Sequence, residues 1–176
     1  MKVPAALIAA RGLRPFAEAK QLEIAEVGAD GREHLLIPEA AAAWRQMKGA
    51  AARDSIGLSI VSAYRSVLRQ TEIVQRKLAA GQSLEQILTV SAPPGFSEHH
   101  TGRAVDITTP EAAPLDATFA ETPAFEWLKR RAAEFRFALS YPPDNREGYQ
   151  FEPWHWCYYD EKAKELLRQP RANKPI

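Results

Sequence analysis

Ser97-Glu98-His99-His100-Thr101-Gly102-Arg103-Ala104-Val105-Asp106 puts adjacent histidines, a turn glycine and an aspartate within one short stretch. Further along, Phe151-Glu152-Pro153-Trp154-His155-Trp156 adds another imidazole and a glutamate. A catalytic zinc site needs three protein ligands of these types, an open position for water, and a base to deprotonate it. The pattern therefore points to amide hydrolysis around one Zn2+ ion. Asp106, His155 and one of the pair His99/His100 are the candidate ligands, and Glu152 is the candidate base. Spacing alone does not choose between His99 and His100; the neighbour would support a ligand or face the substrate. Cys157 is the only cysteine, so neither an intrachain disulfide nor a cysteine-based structural zinc site can form.

These side chains need elements that aim them. Residues 103–108 read as a strand, with Ala104 and Asp106 on one face and Val105 and Ile107 on the other. A carboxylate buried in so apolar a strand costs several kcal/mol unless it is paired or bound to metal. In the aromatic strand expected over residues 149–159, strict alternation would separate Glu152 from His155. Pro153 stands between them, and proline in a strand marks an edge, an end or a bulge. A break there lets both side chains converge; a regular strand through Pro153 would dissolve the site.

Ser62-Ala63-Tyr64-Arg65-Ser66 joins a strand expected over 58–62 to a helix expected over 67–80. An arginine at such a junction suits a clamp for a substrate carboxylate, which guanidinium binds through two parallel hydrogen bonds. Taken alone, it is more often half of a structural salt bridge. Gln70, one turn into the same helix, either lines the site or faces water.

The other elements follow from punctuation and period. Residues 21–27 and 34–37 read as strands around a Gly28–Arg32 turn, with the lone His34 as surface or satisfied core. Residues 38–53 form a helix with proline in its first turn and Ala40, Ala43, Trp44, Met47 and Ala51 on one face. Ser83 and Gln86 make a capping box for a short helix over 83–88. Thr122 caps a helix expected to reach residue 135, with Lys129-Arg130-Arg131 on its solvated side. A strand over 137–140, a polar connection over 141–148 and a final helix over 160–168 complete the chain.

The 176 residues, 45% hydrophobic and 26% charged, suit one domain spanning the whole chain. A net charge of +1 argues against a nucleic-acid partner. No apolar run approaches the ~20 residues of a membrane span. The mildly apolar residues 3–10 run at once into Arg11 and Arg14, so no signal peptide is read.

Together these motifs resemble the VanY-type D-alanyl-D-alanine carboxypeptidases, zinc peptidases of the Hedgehog/DD-peptidase fold that include L,D-carboxypeptidase relatives. The likeness covers residues 35–159. It is carried by Ser62-Ala63-Tyr64-Arg65-Ser66 with Gln70, by Ser97-Glu98-His99 with Thr101-Gly102 and Ala104-Val105-Asp106, and by Trp127-Leu128, Tyr141-Pro142, Gly148-Tyr149 and Glu152-Pro153-Trp154-His155. The resemblance implies an α+β fold whose small antiparallel sheet carries the metal, with helices around it. It implies His99, Asp106 and His155 as ligands, with His99 selected because the family's first histidine follows the serine by two. It also implies Glu152 as the base, Arg65 as the residue stabilising substrate and transition state, and Ser97, Gln70 and Trp154 on the substrate side. The implied substrates are peptidoglycan stem peptides, and the implied location is the cell envelope, although the N-terminus leaves the cytoplasm open. Two departures stand out: Cys157 where an arginine is usual, and Arg136 where glycine is common. A packing role suits Cys157, because free cysteine is among the most buried residue types.

Two other functions fit the same residues. One is a peptidoglycan endopeptidase of the phage-lysin kind on this scaffold. The other is a zinc-stabilised module that binds peptidoglycan without cleaving it, against which Glu152 argues, since a structural zinc needs no spare base. A serine hydrolase lacks its Gly-x-Ser-x-Gly elbow.

Overall fold

A computed structural model describes residues 4–160. The expected final helix lies outside the described residues, and none of the described helices is long and apolar enough to cross a membrane. The class is α+β, as expected. A four-stranded antiparallel sheet runs in the order β3 (Ser59–Ser62), β4 (Ala104–Thr108), β6 (His155–Tyr158) and β5 (Phe137–Leu139). A separate hairpin pairs β1 (Glu23–Val27) with β2 (Glu33–Leu36).

β4 is the central feature. Register sets Asp106 directly opposite His155 on one side and Ser62 on the other. Alternation then sends Val105 and Ile107 into the hydrophobic core, where they join Trp44 and Met47 of α2 (Pro38–Arg53) and Phe125 and Leu128 of α5 (Pro123–Arg131). Glu26 bolts hairpin, helix and sheet together: its carboxylate accepts from Trp44 Nε1 at 2.9 Å and from the Ile60 amide at 3.2 Å, and it pairs with Lys48 at 2.9 Å.

Caps define the remaining helices. Ser66 accepts from the Arg69 amide at the start of α3 (Val67–Ala79), and both halves of the Ser83–Gln86 capping box are present at α4 (Leu84–Val90). Thr122 accepts from the Phe125 amide, as read from the sequence. The helix it opens is α-helical only to Arg131; residues 132–135 tighten into a 3-10 turn, and Arg136 follows at φ +61°. That left-handed conformation explains why glycine suits the position, since a Cβ there costs about 1–2 kcal/mol.

Two differences from expectation bear on the site. β6 spans only His155–Tyr158, because the proline supplies no amide hydrogen and residues 152–155 form a turn closed by a His155 N–H to Glu152 carbonyl bond at 3.1 Å. The N-terminal residues, where the sequence offered little, form α1 (Ala5–Ala10) and then a strap across the site's flank. Phe16 and Ala19 donate backbone bonds to the Gly95 and His100 carbonyls. Arg11 donates from Nε to the Glu147 carbonyl at 2.6 Å and from Nη1 to the Leu88 carbonyl at 2.5 Å, with its guanidinium 4.5 Å from the Tyr149 ring centroid.

Candidate metal centre

His99 sits in a 3-10 turn (Glu98–Thr101) between the Ser97 cap and Gly102 at φ +65°. Its Nδ1 lies 2.7 Å from the Ala63 carbonyl, which can only accept, so Nδ1 carries the proton and Nε2 is bare. Burial favours the neutral imidazole and, despite the Asp106 charge, lowers its pKa. The bare Nε2 faces Asp106 Oδ2 at 3.2 Å, two acceptors with no proton between them. Across the strand, His155 Nδ1 is 3.0 Å from Asp106 Oδ1.

The three ligand atoms lie within 4.8 Å of one another on buried side chains. Tetrahedral Zn2+ with bonds of 2.0–2.1 Å spaces its ligands about 3.3 Å apart; His99 and His155 lie 3.2 and 3.0 Å from opposite oxygens of Asp106, and two imidazoles with one carboxylate are ligands this ion takes. The donor set therefore fits the ion. Without a cation, burial works against the Asp106 carboxylate, but its contacts with the His99 and His155 imidazoles outweigh it and hold its carboxyl far below the usual range. Burial likewise opposes charge on His155, but Asp106 and Glu98 raise it to about 10.

Glu152 stands beside this cluster without joining it, its Oε2 4.0 Å from His155 Nδ1. The break at Pro153 brings the two side chains together as expected. Burial, which Asp106 and Glu98 reinforce and His155 and Arg65 oppose, lifts the Glu152 pKa to about 7. The same turn is anchored by the Glu152 amide donating to the Tyr141 carbonyl at 3.1 Å, while the Tyr141 ring lies 4.7 Å from that of His155.

Arg65 has no carboxylate within ion-pair distance among the described residues, and its buried Nε has no hydrogen-bond partner. The salt-bridge alternative thus finds no support here. Burial lowers its pKa, while Asp106 and Glu152 favour its charge. Gln70 is buried, donates to the Ala92 carbonyl at 2.6 Å and leaves Oε1 unpartnered. Ser97 is buried, with Oγ accepting from the His99 amide. Trp154 is half-buried and packs against the hydrophobic core.

His100 is not in the cluster. Its Nδ1 lies 2.6 Å from the Arg65 carbonyl and its Nε2 accepts from the Gly95 amide at 3.1 Å, so both nitrogens are used in holding backbone. Cys157 is also outside it, half-buried opposite Ala104 and Ala138, and burial pushes its thiol well up. The sequence reading assigned no role to Glu98, Ser140 or Tyr141. Glu98 Oε2 lies 3.0 Å from His155 Nε2 and accepts from Ser140 Oγ at 2.6 Å.

A family model described as VanY, D-alanyl-D-alanine carboxypeptidase, matches residues 33–161. The chain belongs to this family. A relative, the D-alanyl-D-alanine carboxypeptidase of Enterococcus faecalis (strain ATCC 700802 / V583), is 35% identical over 131 residues, covering 68% of this chain and 47% of that protein. The chain spans about half the length of two curated relatives it matches. Among solved structures, the LdcB LD-carboxypeptidase superposes with a TM-score of 0.75 at 30% identity, covering 85% of this chain and 73% of that one. A mutant of the vancomycin-resistance D,D-pentapeptidase VanY from a VanB-type cassette, in complex with Zn(II), gives a TM-score of 0.66 at 28% identity, with 89% of each chain covered.

Proposed function

We propose that this protein is a zinc-dependent carboxypeptidase that removes the C-terminal D-alanine from peptidoglycan stem peptides. The observation that carries the reading is Glu152, a non-ligating carboxylate 4.0 Å from a buried His-Asp-His cluster. A site built only to hold metal has no use for such a group. Zn2+ bound by His99, Asp106 and His155 would act as a Lewis acid and make a neighbouring water acidic.

The chain's own residues do the rest. Glu152 accepts the proton of the attacking water and returns it to the amine of the departing D-amino acid, for which a pKa raised by burial is suited. Arg65, a buried cation without a carboxylate partner among the described residues, takes the substrate's terminal carboxylate. That preference for a free chain end favours an exopeptidase over an endopeptidase. Gln70 Oε1 and Ser97 Oγ are buried polar atoms available to line the pocket, and His100 fixes the backbone from which Arg65 projects. Trp154, whose family motif suggests a substrate contact, would complete the wall.

The test is D-alanine release from paired tetrapeptide and pentapeptide stem substrates, with zinc assayed on the same sample. Release from one or both, abolished by chelation and restored by zinc, is expected, and the cleaved substrate assigns L,D or D,D specificity. Stoichiometric zinc with neither peptide cleaved would overturn the reading.

A further inference from the structure

We propose that Glu98 is a positioning residue that selects which nitrogen of His155 faces the metal; this rests on the zinc reading above. An imidazole ligates through the nitrogen that carries no proton, so whatever holds the other nitrogen decides the geometry. For His155 that holder is Glu98, whose Oε2 is 3.0 Å from Nε2. An ionised carboxylate only accepts. Nε2 therefore keeps its proton when a metal displaces the one on Nδ1, and Nδ1 lies 3.0 Å from Asp106 Oδ1, where the metal belongs.

Glu98 is itself held. Ser140, at the end of β5, donates from Oγ to the same Oε2 at 2.6 Å. The Tyr141 ring, 4.7 Å from the His155 ring, restricts its rotation. Glu98 also immediately precedes His99 in the 3-10 turn, so one turn carries a candidate ligand and the brace for the other imidazole. The two rings are braced unequally: His99 by the neutral Ala63 carbonyl, His155 by a carboxylate.

Charge gives an independent argument. Among the described residues, Glu98 pairs with no lysine or arginine; its ionic partner is His155. A divalent cation and Asp106 leave one positive charge, which Glu98 balances through the imidazole. The carboxylate is thus placed to raise the basicity of the ligand ring as well as to aim it.

The full-length wild type, Glu98→Ala, Glu98→Gln and Ser140→Ala are compared by zinc competition against a chromophoric chelator and by two-bond 1H–15N spectra of the histidine rings. The wild type should show His155 protonated on Nε2 and zinc-shifted on Nδ1. Glu98→Ala should weaken zinc binding by about 10–100-fold, with smaller losses for Ser140→Ala and for Glu98→Gln, whose carbonyl still accepts. Glu98→Ala within twofold of wild type would overturn the proposal. Should that variant fail to fold by circular dichroism, wild-type affinity in both Glu98→Gln and Ser140→Ala would overturn it equally. Absence of zinc binding by the wild type would instead sink the zinc reading itself.

Discussion

Replacing Glu152 with glutamine should separate catalysis from stability in opposite directions. The side chain is 14% exposed, and burial raises its pKa from 4.5 to about 7 in the metal-free protein. Below pH 4.5 the carboxyl is protonated folded or unfolded, and its ionisation costs nothing. Between there and pH 7 the folded chain binds the extra proton, so stability falls as pH rises. Above pH 7 the full penalty applies, about 3 kcal/mol for a shift of this size at 1.36 kcal/mol per unit. Glutamine cannot ionise and escapes it. Urea unfolding of the metal-free proteins should therefore show Glu152→Gln gaining about 2–3 kcal/mol on the wild type between pH 4.5 and pH 8. D-Alanine release by the zinc-loaded variant should drop by 10²–10⁴-fold, the usual contribution of a general base, with zinc still stoichiometric. A glutamate that merely braced the fold would give the reverse pattern. A variant that loses stability relative to wild type across that pH range, or keeps more than a tenth of the activity, refutes the reasoning.

Other substitutions test the neighbours. His99→Ala should abolish stoichiometric zinc by elemental analysis, whereas His100→Ala should keep it. The second variant should instead lose roughly 2–5 kcal/mol in denaturant titration, because the Arg65 carbonyl and Gly95 amide are left buried without partners. Arg65→Met should raise KM. Because Arg65 lowers the Glu152 pKa, it should also move the acid limb of the pH–rate profile upward, measured by initial rates from pH 5 to 9; an unmoved limb would separate the two residues. Gly102→Ala puts a Cβ at φ +65° and 2.9 Å from Leu22 Cδ2. It should cost about 2–4 kcal/mol by strain and overpacking, read as a lowered melting temperature.

The sequence disclosed most where the physics is local. Caps at Ser83 and Thr122, the α2 apolar face and the alternation through Asp106 all depend on neighbours within a few residues. The convergence of Glu152 and His155 was legible because Pro153 cannot sustain a regular strand. What stayed hidden depends on distant partners. Glu98 reads as any acidic residue before a histidine, and only the pairing of β4 with β6 brings His155 to it, 57 residues away. Tyr141 lies in a stretch that looks polar, yet its ring is buried against His155. The 3-10 ending of α5 and the short β6 are boundary effects that tertiary hydrogen bonds decide. Spacing alone does not separate His100 from His99; in the structure both nitrogens of His100 hold backbone, whereas His99 keeps Nε2 for the cluster.

Arg11 lies upstream of the residues the family model matches, yet it fastens the loop from which Glu152 descends. Its guanidinium joins the last turn of α4 to that loop and stacks on Tyr149, which in turn touches Tyr141. The strap is placed as a latch remote from the candidate site, tying down the loop that leads to Glu152 without touching Glu152, Arg65 or the His-Asp-His cluster. Arg11→Ala should leave zinc content intact while speeding amide exchange at Gln150 and proteolysis between residues 142 and 149. Engineering of the proposed activity can then begin at a residue that a boundary drawn by family likeness would have discarded.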